Sequence, residues 1–520
     1  MVVRPLLTLR VDGALDQALA PAALARIAPE ALAAFLGERR WFGLKAARLA
    51  RARFAAVVPL APQVPAVVTQ VEVEAEGGAA RFQLPLSVVP EPAAGAPPPV
   101  AVLARVVAGD EAGLLIDALE DPRFLAGLGA ALVAGGDFGA GAPRLRATPV
   151  AGPVALPPGA RLLGIEQSNS SVVFGEAAIL KLYRRLERGE QPEVEIGRFL
   201  TTRTRFRHAP ALLATLTFED GGAPVVAGML HRFVPGAVDL WADTLAANRA
   251  FFTSGGALTP RADALAEASL LGRVTRDLHR ALASDAHDPA FAPSPADRPD
   301  VARWGAAVAA MIDRALDLAA AQVAAGALPP PVAALASAAV ARRPALQGRV
   351  QGLIAEVGDD GGMQIRHHGD YHLGQVLRAP DGDLLVIDFE GEPARTLEER
   401  RARHSPLRDV TGMLRSYAYA AATLAGIERE ARAGDAAPGG LALTTRAAHW
   451  EQGMRAAFLG GYFDAASAPL LPFTETARNA LLTLFELEKT CYEIAYELHS
   501  RPDWAWIPLS AVIWGHAAPS

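Results

Sequence analysis

HHGDYHLGQVL at residues 367–377, followed by LLVIDFEGEP at residues 384–393, is the stretch around which the rest of the chain is read. The pattern predicts a polar loop, a short strand at Gln375–Arg378, a hairpin turn at Asp381-Gly382 and a second strand at Leu384–Phe389. Asp370 falls in the loop, Gln375 at the start of the first strand, and Asp388 at the end of the second after four apolar residues. That order of groups suits phosphoryl transfer. One carboxylate receives a hydroxyl proton, while an amide and a second carboxylate hold the magnesium ion that bridges nucleotide phosphates. Taken singly, Asp370 and Asp388 also suit the turn and strand end of an ordinary hairpin; the full string with its hydrophobic strands argues against that reading.

Working outward, EQSNSSVVFGEAAILKLYRRL at residues 166–186 reads as strands around a polar turn, Ser168 to Ser171, with Lys181 inside the following strand. Backbone N–H groups and the hydroxyls of Ser168, Ser170 and Ser171 suit the covering of phosphates. There is no Walker sequence. A helix predicted from Pro192 to Thr201 carries Glu195, expected to pair with Lys181 as kinases pair a strand lysine with a helix glutamate; Glu193 is the competing partner. Flanks of Ile179-Leu180 and Leu182-Tyr183 argue against a solvent-facing lysine, and a buried lysine needs a partner. Toward the C-terminus, FELEKTCYEIAYELHSRPDWAWIPL at residues 485–509 places Lys489, Tyr492, Glu493 and Tyr496 at helical spacing. Such a stripe suits a sugar, with tyrosines on its C–H face and charges on its hydroxyls. A half-buried helix with core tyrosines and solvated charges fits the same spacing.

The whole chain has 520 residues, 51% hydrophobic and 20% charged, which calls for two or three domains with sizeable cores. A net charge of −6 gives no global basic field for nucleic acid or an anionic bilayer. The lone Cys491 makes no internal disulfide, and no zinc-site spacing is present. The apolar run between Arg4 and Arg10 is too short for a secretory signal, so a cytoplasmic protein is expected. The longest uncharged stretch, Asp317 to Arg342, is broken by Pro329, Pro330 and Pro331 and reads as two Ala-rich helices. Among 50 basic residues only Lys45, Lys181 and Lys489 are lysines, which reads either as sites where a compact ammonium is needed and a guanidinium fork does not fit, or as chance survival of a rare residue.

Residues 1–100 read as helical patterns followed by strands, ending in the Pro/Ala/Gly-rich stretch Pro90 to Pro99; residues 101–234 as α+β; and residues 235–520 as mainly helical. Together with RRWFGLK at 39–45, FQLPL at 82–86, EQSNSSVVFG at 166–175, HSPLRDVTGMLRS at 404–416 and RPDWAWIPL at 501–509, these stretches resemble bacterial maltokinases over nearly the whole chain. The resemblance implies an α+β, two-lobed, protein-kinase-like fold of the aminoglycoside-phosphotransferase type with an N-terminal cap. It implies ATP as cosubstrate, Mg2+, maltose as acceptor, maltose 1-phosphate as product, and trehalose synthase as a candidate partner. Carried over by residue, Asp370 is the base and a sugar contact, Gln375 and Asp388 the magnesium ligands, and Lys181 and Glu195 the phosphate-positioning pair. Met229, His231 and Phe233 hold adenine through backbone groups. His368 braces the loop, His372 touches the sugar, and Asp409, beside Arg408, braces the catalytic loop or serves as a helix N-terminal acid. Gln375 stands where many kinases carry Asn, and a serine-rich turn replaces a Gly-rich loop. The rival readings are a kinase of another sugar or amino sugar, such as glucosamine, and a silent maltose-binding partner of trehalose synthase.

Overall fold

The computed structural model describes residues 6–42, 49–60, 64–75, 78–91, 98–139, 141–152, 154–163, 168–253, 259–432 and 440–514. Lys45, Gly164, Glu166 and Gln167 lie outside the described residues. The chain divides into two units, residues 1–203 with 210–235, and residues 204–209 with 236–520.

The first unit is built on two sheets. Strands β1 (Leu7–Arg10), β2 (Leu49–Pro59), β3 (Ala66–Ala75), β4 (Gly78–Pro90), β5 (Val102–Ala108) and β6 (Glu111–Asp117) pair in the order β1-β5-β6-β4-β3-β2. The long β2, β3 and β4 are consecutive antiparallel neighbours, as short connections between alternating segments dictate. This sheet runs on past residue 100, because the hairpin β5-β6 returns across the Pro/Ala/Gly-rich stretch to pair with β4. Phe35, Leu36, Trp41 and Phe42 pack on it with Val71, Phe82 and Leu84, all buried. The second sheet holds β7 (Gly136–Phe138), β8 (Arg144–Pro149), β9 (Ala160–Leu163), β10 (Asn169–Phe174), β11 (Ala178–Tyr183), β13 (Leu212–Glu219) and β14 (Val225–Arg232), in the order β7-β8-β13-β14-β11-β10-β9. Between them, the short β12 (Arg185–Leu186) leaves β11 and pairs with β4 of the first sheet, so the two sheets share a continuous backbone connection. The helix Pro122–Ala134, capped by Asp121, covers one face of the second sheet with Phe124, Leu128 and Leu132.

The second unit is mainly helical. Its small sheet pairs Val238–Asp239 with Val376–Arg378, and that strand with Leu384–Val386, the hairpin expected from Asp381-Gly382. Helices Ala262–Leu282 and Gly440–Tyr462 approach so closely that a Cβ at Gly272 or Gly461 would strike the facing backbone, at Phe458 or Ser269. The uncharged stretch forms the end of Arg298–Ala324 and all of Pro330–Ala341, two helices parted at the prolines. No described helix is long and apolar enough to cross a membrane.

Candidate active site

In the first unit, β10 and β11 set Ser171 directly across from Lys181, with Ser170 across from Leu182. Lys181 extends to the helix Pro192–Arg203, where its Nζ donates to Glu193 Oε2 at 2.9 Å. The same oxygen accepts from the Tyr183 hydroxyl at 2.7 Å. The partnership expected of Glu195 thus falls to Glu193. Two residues along a helix point about 200° apart, so once Glu193 is buried against β11, Glu195 faces the other way and is half-buried.

The serines differ from expectation too. Ser170 and Ser171 belong to β10 rather than to the turn and are buried, while Ser168 is exposed. The Ser170 hydroxyl accepts from Arg184 Nε at 2.8 Å. The backbone groups expected to hold adenine are also engaged elsewhere. Met229 and His231 lie inside β14, paired on one side with β11 and on the other with β13, and the Phe233 N–H donates to Ala177 O at 3.1 Å. The Met229 side chain is fully buried with Tyr183, Val194 and Leu212. A central strand commits its ladder groups to its neighbours, so the backbones of Met229 and His231 are engaged within the sheet and the Phe233 N–H is taken by Ala177.

In the second unit, the loop bearing Asp370 is fixed by the helix Leu407–Arg432. Asp409, in that helix's first turn, accepts from the His368 N–H at 2.7 Å and the Gly369 N–H at 2.9 Å. His279 Nε2 lies 3.1 Å from the same carboxylate, and its Nδ1 lies 2.9 Å from the Tyr462 hydroxyl. Burial alone would raise the Asp409 carboxyl, but the His279 hydrogen bond and the surrounding histidines hold it well below the usual range. The two geometric descriptions of Asp409, a helix first-turn acid and an acceptor for the loop backbone, both apply. His368 accepts from the Asp370 N–H at 3.3 Å, which leaves its Nε2 to donate to Ile387 O at 2.9 Å. Tyr371 is buried with its hydroxyl 3.0 Å from Thr275 Oγ1, and a Cβ at Gly412 would come within 2.5 Å of the Tyr371 carbonyl. His372 caps the short turn Leu373–Gln375 by accepting from the Gly374 N–H at 3.1 Å, and burial lowers its pKa.

Asp370 Oδ1 accepts from Lys489 Nζ at 3.0 Å, and Glu392 Oε1 accepts from the same ammonium at 2.9 Å. Burial opposes the Lys489 charge, yet the two carboxylates overcome it and raise its pKa, so it stays an ammonium. Glu392 in turn accepts from Arg395 at 2.6 Å; Arg395 and Arg408 both donate to Glu488, at 3.1 and 2.9 Å. Three acids and three bases therefore neutralise one another around a cavity of about 20 Å3, room for roughly one water. Asp370 Oδ2 has no protein partner among the described residues, and the Asp370 side chain retains 23% of its exposure.

The four-residue stripe on the helix Glu475–Ser500 is split. Lys489 lies 4.7 Å from the centre of the Tyr492 ring, and both line the cavity beside Asp370. Glu493 instead meets Arg415 at 2.7 and 3.0 Å in the helix interior, and Tyr496 is 49% exposed beneath Arg501. Glu493 and Tyr496 thus do not join Asp370, a correction to the single sugar face. Gln375 and Asp388 do meet, Nε2 to Oδ2 at 2.9 Å. Asp388 is the one non-glycine residue with positive φ among the described residues, at 64°, a conformation that aims its carboxylate out of the strand line. Glu390, which sequence reasoning passed over, brings an oxygen within 4.8 Å of an Asp388 oxygen. Glu392, Arg395 and Glu488 were also missed, and only the acid in GEP after the second strand offered a local signal.

Residues 35–121 match the family described as the maltokinase N-terminal cap domain. A glucosamine kinase of Streptacidiphilus jiangxiensis is 29% identical over 357 residues, 67% of this chain and 72% of that protein. A glucosamine kinase of Mycolicibacterium smegmatis is 27% identical over 357 residues, 68% of this chain and 79% of that protein. Among solved structures, a glucosamine kinase in complex with glucosamine, ADP and inorganic phosphate has a TM-score of 0.62 at 22% identity, covering 94% of this chain and 97% of that one. A glucosamine kinase in another crystal form has a TM-score of 0.61 at 23% identity, covering 89% and 92%. These structures speak for the fold. The cap match, the two-lobed kinase-like fold and the curated relatives together point to one class, the ATP-dependent sugar phosphotransferases, and the cap is similar to that of maltokinases. Of particular proteins, the cap points to maltokinases and the curated relatives to glucosamine kinases.

Proposed function

We propose that the chain transfers the γ-phosphoryl group of ATP to the anomeric hydroxyl of maltose, giving maltose 1-phosphate and ADP. The observation that carries this reading is the state of Asp370, whose Oδ1 is held by Lys489 while Oδ2 is left without a protein partner among the described residues. One oxygen anchored and one open orients a carboxylate toward an incoming hydroxyl. In the step, the anomeric oxygen gives its proton to Asp370 Oδ2 and bonds to the γ-phosphorus as the bond to the ADP oxygen breaks in line. An anomeric hydroxyl is more acidic than an ordinary alcohol, which suits a carboxylate base. Lys181, steadied by Glu193 and Tyr183, supplies a compact cation for the phosphates.

Gln375, Asp388 and Glu390 present hard oxygen atoms, the donor set that suits Mg2+, and they are the residues that would hold it. When bound, that ion neutralises charge on the transferring phosphates. His368 and Asp409 hold the loop so that Asp370 does not swing with its backbone.

The choice of a neutral sugar rests on the cap and on charge. Asp370, Glu392 and Glu488 each already face a cation of the protein, so an amino sugar's ammonium would have to compete with Lys489, Arg395 or Arg408. Tyr492 offers a ring for the C–H face of a pyranose. The second reading, glucosamine as acceptor, is favoured by the curated relatives. In either case the reaction suits the cytoplasm, where ATP is abundant; supply of maltose by a trehalose synthase partner belongs to the first reading. Incubating the chain with ATP, magnesium and maltose, glucose or glucosamine in turn, and identifying products by phosphorus and proton NMR, tests the proposal. An anomeric phosphate on maltose is the expected product, and turnover of glucosamine with maltose inert would replace the first reading by the second.

A further inference from the structure

The cap stretches RRWFG and FQLPL have no part in the chemistry above, yet both converge on one buried arginine. Arg184 follows β11 directly and is 2% exposed. Its Nη2 donates to Asp117 Oδ2 at 2.8 Å, at the end of β6 in the cap, and its Nε donates to Ser170 Oγ of β10 at 2.8 Å. Its guanidinium lies over the Trp41 ring, 4.6 Å from the ring centre, a cation–π contact. Gln83 of β4 adds two more links, from its backbone N–H to Arg184 O at 2.7 Å and from its side-chain amide to Ala227 O of β14 at 3.3 Å. The cap therefore grips β10, β11 and β14, the strands around Lys181, and Arg184 stands three residues beyond that lysine.

We propose that Arg184 is a positioning residue through which the cap holds the strand pair bearing Lys181 and Ser171, so that the cap serves the nucleotide side of the reaction and not the sugar side. This rests on the reading that ATP is the phosphoryl donor. Charge-assisted bonds in a buried setting fix geometry, and Lys181 acts only while its ammonium keeps its place against the phosphates. Replacing Arg184 leaves Asp117 buried without its cation and frees the Ser170 hydroxyl, which loosens β10 against β11 near Ser171 and Lys181.

The test compares full-length wild type with Arg184→Met, Arg184→Lys and the near-isosteric Asp117→Asn, the last to carry the test where Arg184→Met fails to fold. Steady-state KM for ATP and for the sugar, ATP affinity by isothermal titration calorimetry, and Tm are measured on the same preparations. Arg184→Met is expected to raise the ATP KM about tenfold while the sugar KM stays within about twofold, with Asp117→Asn about threefold in the same direction. Arg184→Lys is expected to recover part of the loss, since an ammonium keeps the charge beside Asp117 but gives up the planar guanidinium that meets Trp41. An unchanged ATP KM in the folded variants overturns the inference, as does an equal rise in both KM values with a lowered Tm, the mark of a merely structural role. Wild type that binds no ATP overturns the donor reading and this one with it; wild type that binds ATP no better than the variants overturns this one alone.

Discussion

Glu193 and Glu195 make opposite claims on one lysine, and replacing each by glutamine separates them. In the structure, Glu193 Oε2 receives the Lys181 ammonium at 2.9 Å and the Tyr183 hydroxyl at 2.7 Å, with only 6% of its side chain exposed. Glu193→Gln keeps the shape and removes the charge that makes both bonds strong. Charge-assisted hydrogen bonds contribute about 1.5–3 kcal/mol, and if that steadies Lys181 for the phosphates, kcat/KM for ATP falls by about one to two orders of magnitude. Glu195→Gln, on the other side of the same helix, is expected to stay within about twofold of wild type. The assay is steady-state turnover with ATP varied at saturating sugar, alongside Tm to show that both variants fold. A larger loss in Glu195→Gln than in Glu193→Gln would refute the reasoning and restore the pairing expected from sequence.

The split stripe makes a second contrast. Tyr492→Ala is expected to raise the sugar KM about fivefold, the effect of losing a stacking surface of about 1 kcal/mol, whereas Tyr496→Ala, half exposed and away from Asp370, is expected to leave both KM values alone; equal effects would reunite the stripe. Glu493→Ala removes the two bonds made to the buried Arg415 guanidinium, and denaturant titration should show a loss of about 1.5–3 kcal/mol, with no selective change in sugar KM in whatever remains folded. Glu392 carries a pH signature. Burial would raise its carboxyl, but Lys489, Arg408 and Arg395 outweigh that and hold it at about 2, below its ordinary 4.5. Its contribution is therefore complete above pH 4.5 and is lost as pH falls from 4.5 toward 2, up to about 3 kcal/mol by linkage. Glu392→Gln should flatten the acid limb of a Tm-against-pH curve, and an unaltered limb would remove Glu392 from the account.

The catalytic loop and hairpin were legible because their determinants are local. A Gly-Asp loop, two short apolar runs and an Asp-Gly turn lie within 27 residues of one another in the sequence, residues 367–393, and the structure forms the hairpin in register, with its strands shortened to Val376–Arg378 and Leu384–Val386 so that Gln375 precedes the first and Asp388 follows the second. Lys181 was legible for the same reason, as a lone charge between apolar strand neighbours. What periodicity could not supply is which neighbour each face meets. Lys489 and Glu493 share a helix face, but four residues separate them by about 6 Å along the axis. One height meets the loops of Asp370 and Glu392 and the other meets Arg415. The bond from Lys489 to Asp370 spans 119 residues, and nothing in either segment announces the other. The stretch Pro90 to Pro99 reads as a linker by composition, yet the chain beyond it returns to the same sheet as β5 and β6, a non-local pairing that composition does not encode. Similarly, the choice of Glu193 over Glu195 depends on where the helix begins its first turn, set here by Pro192.

The left-handed backbone at Asp388 places selection and stability in opposition at a single codon. Every L-residue there bears some strain at φ 64°, least for Asn and Asp and of order 1–2 kcal/mol for others. Glycine alone would sit without it. A population of random variants screened for heat resistance should thus tolerate Asp388→Gly readily, and a screen for turnover should reject it, because the change removes the carboxylate that meets Gln375. Homologous chains drifting away from phosphotransfer would be recognised by the arrival of glycine or asparagine at this position before any decay of their hydrophobic interiors.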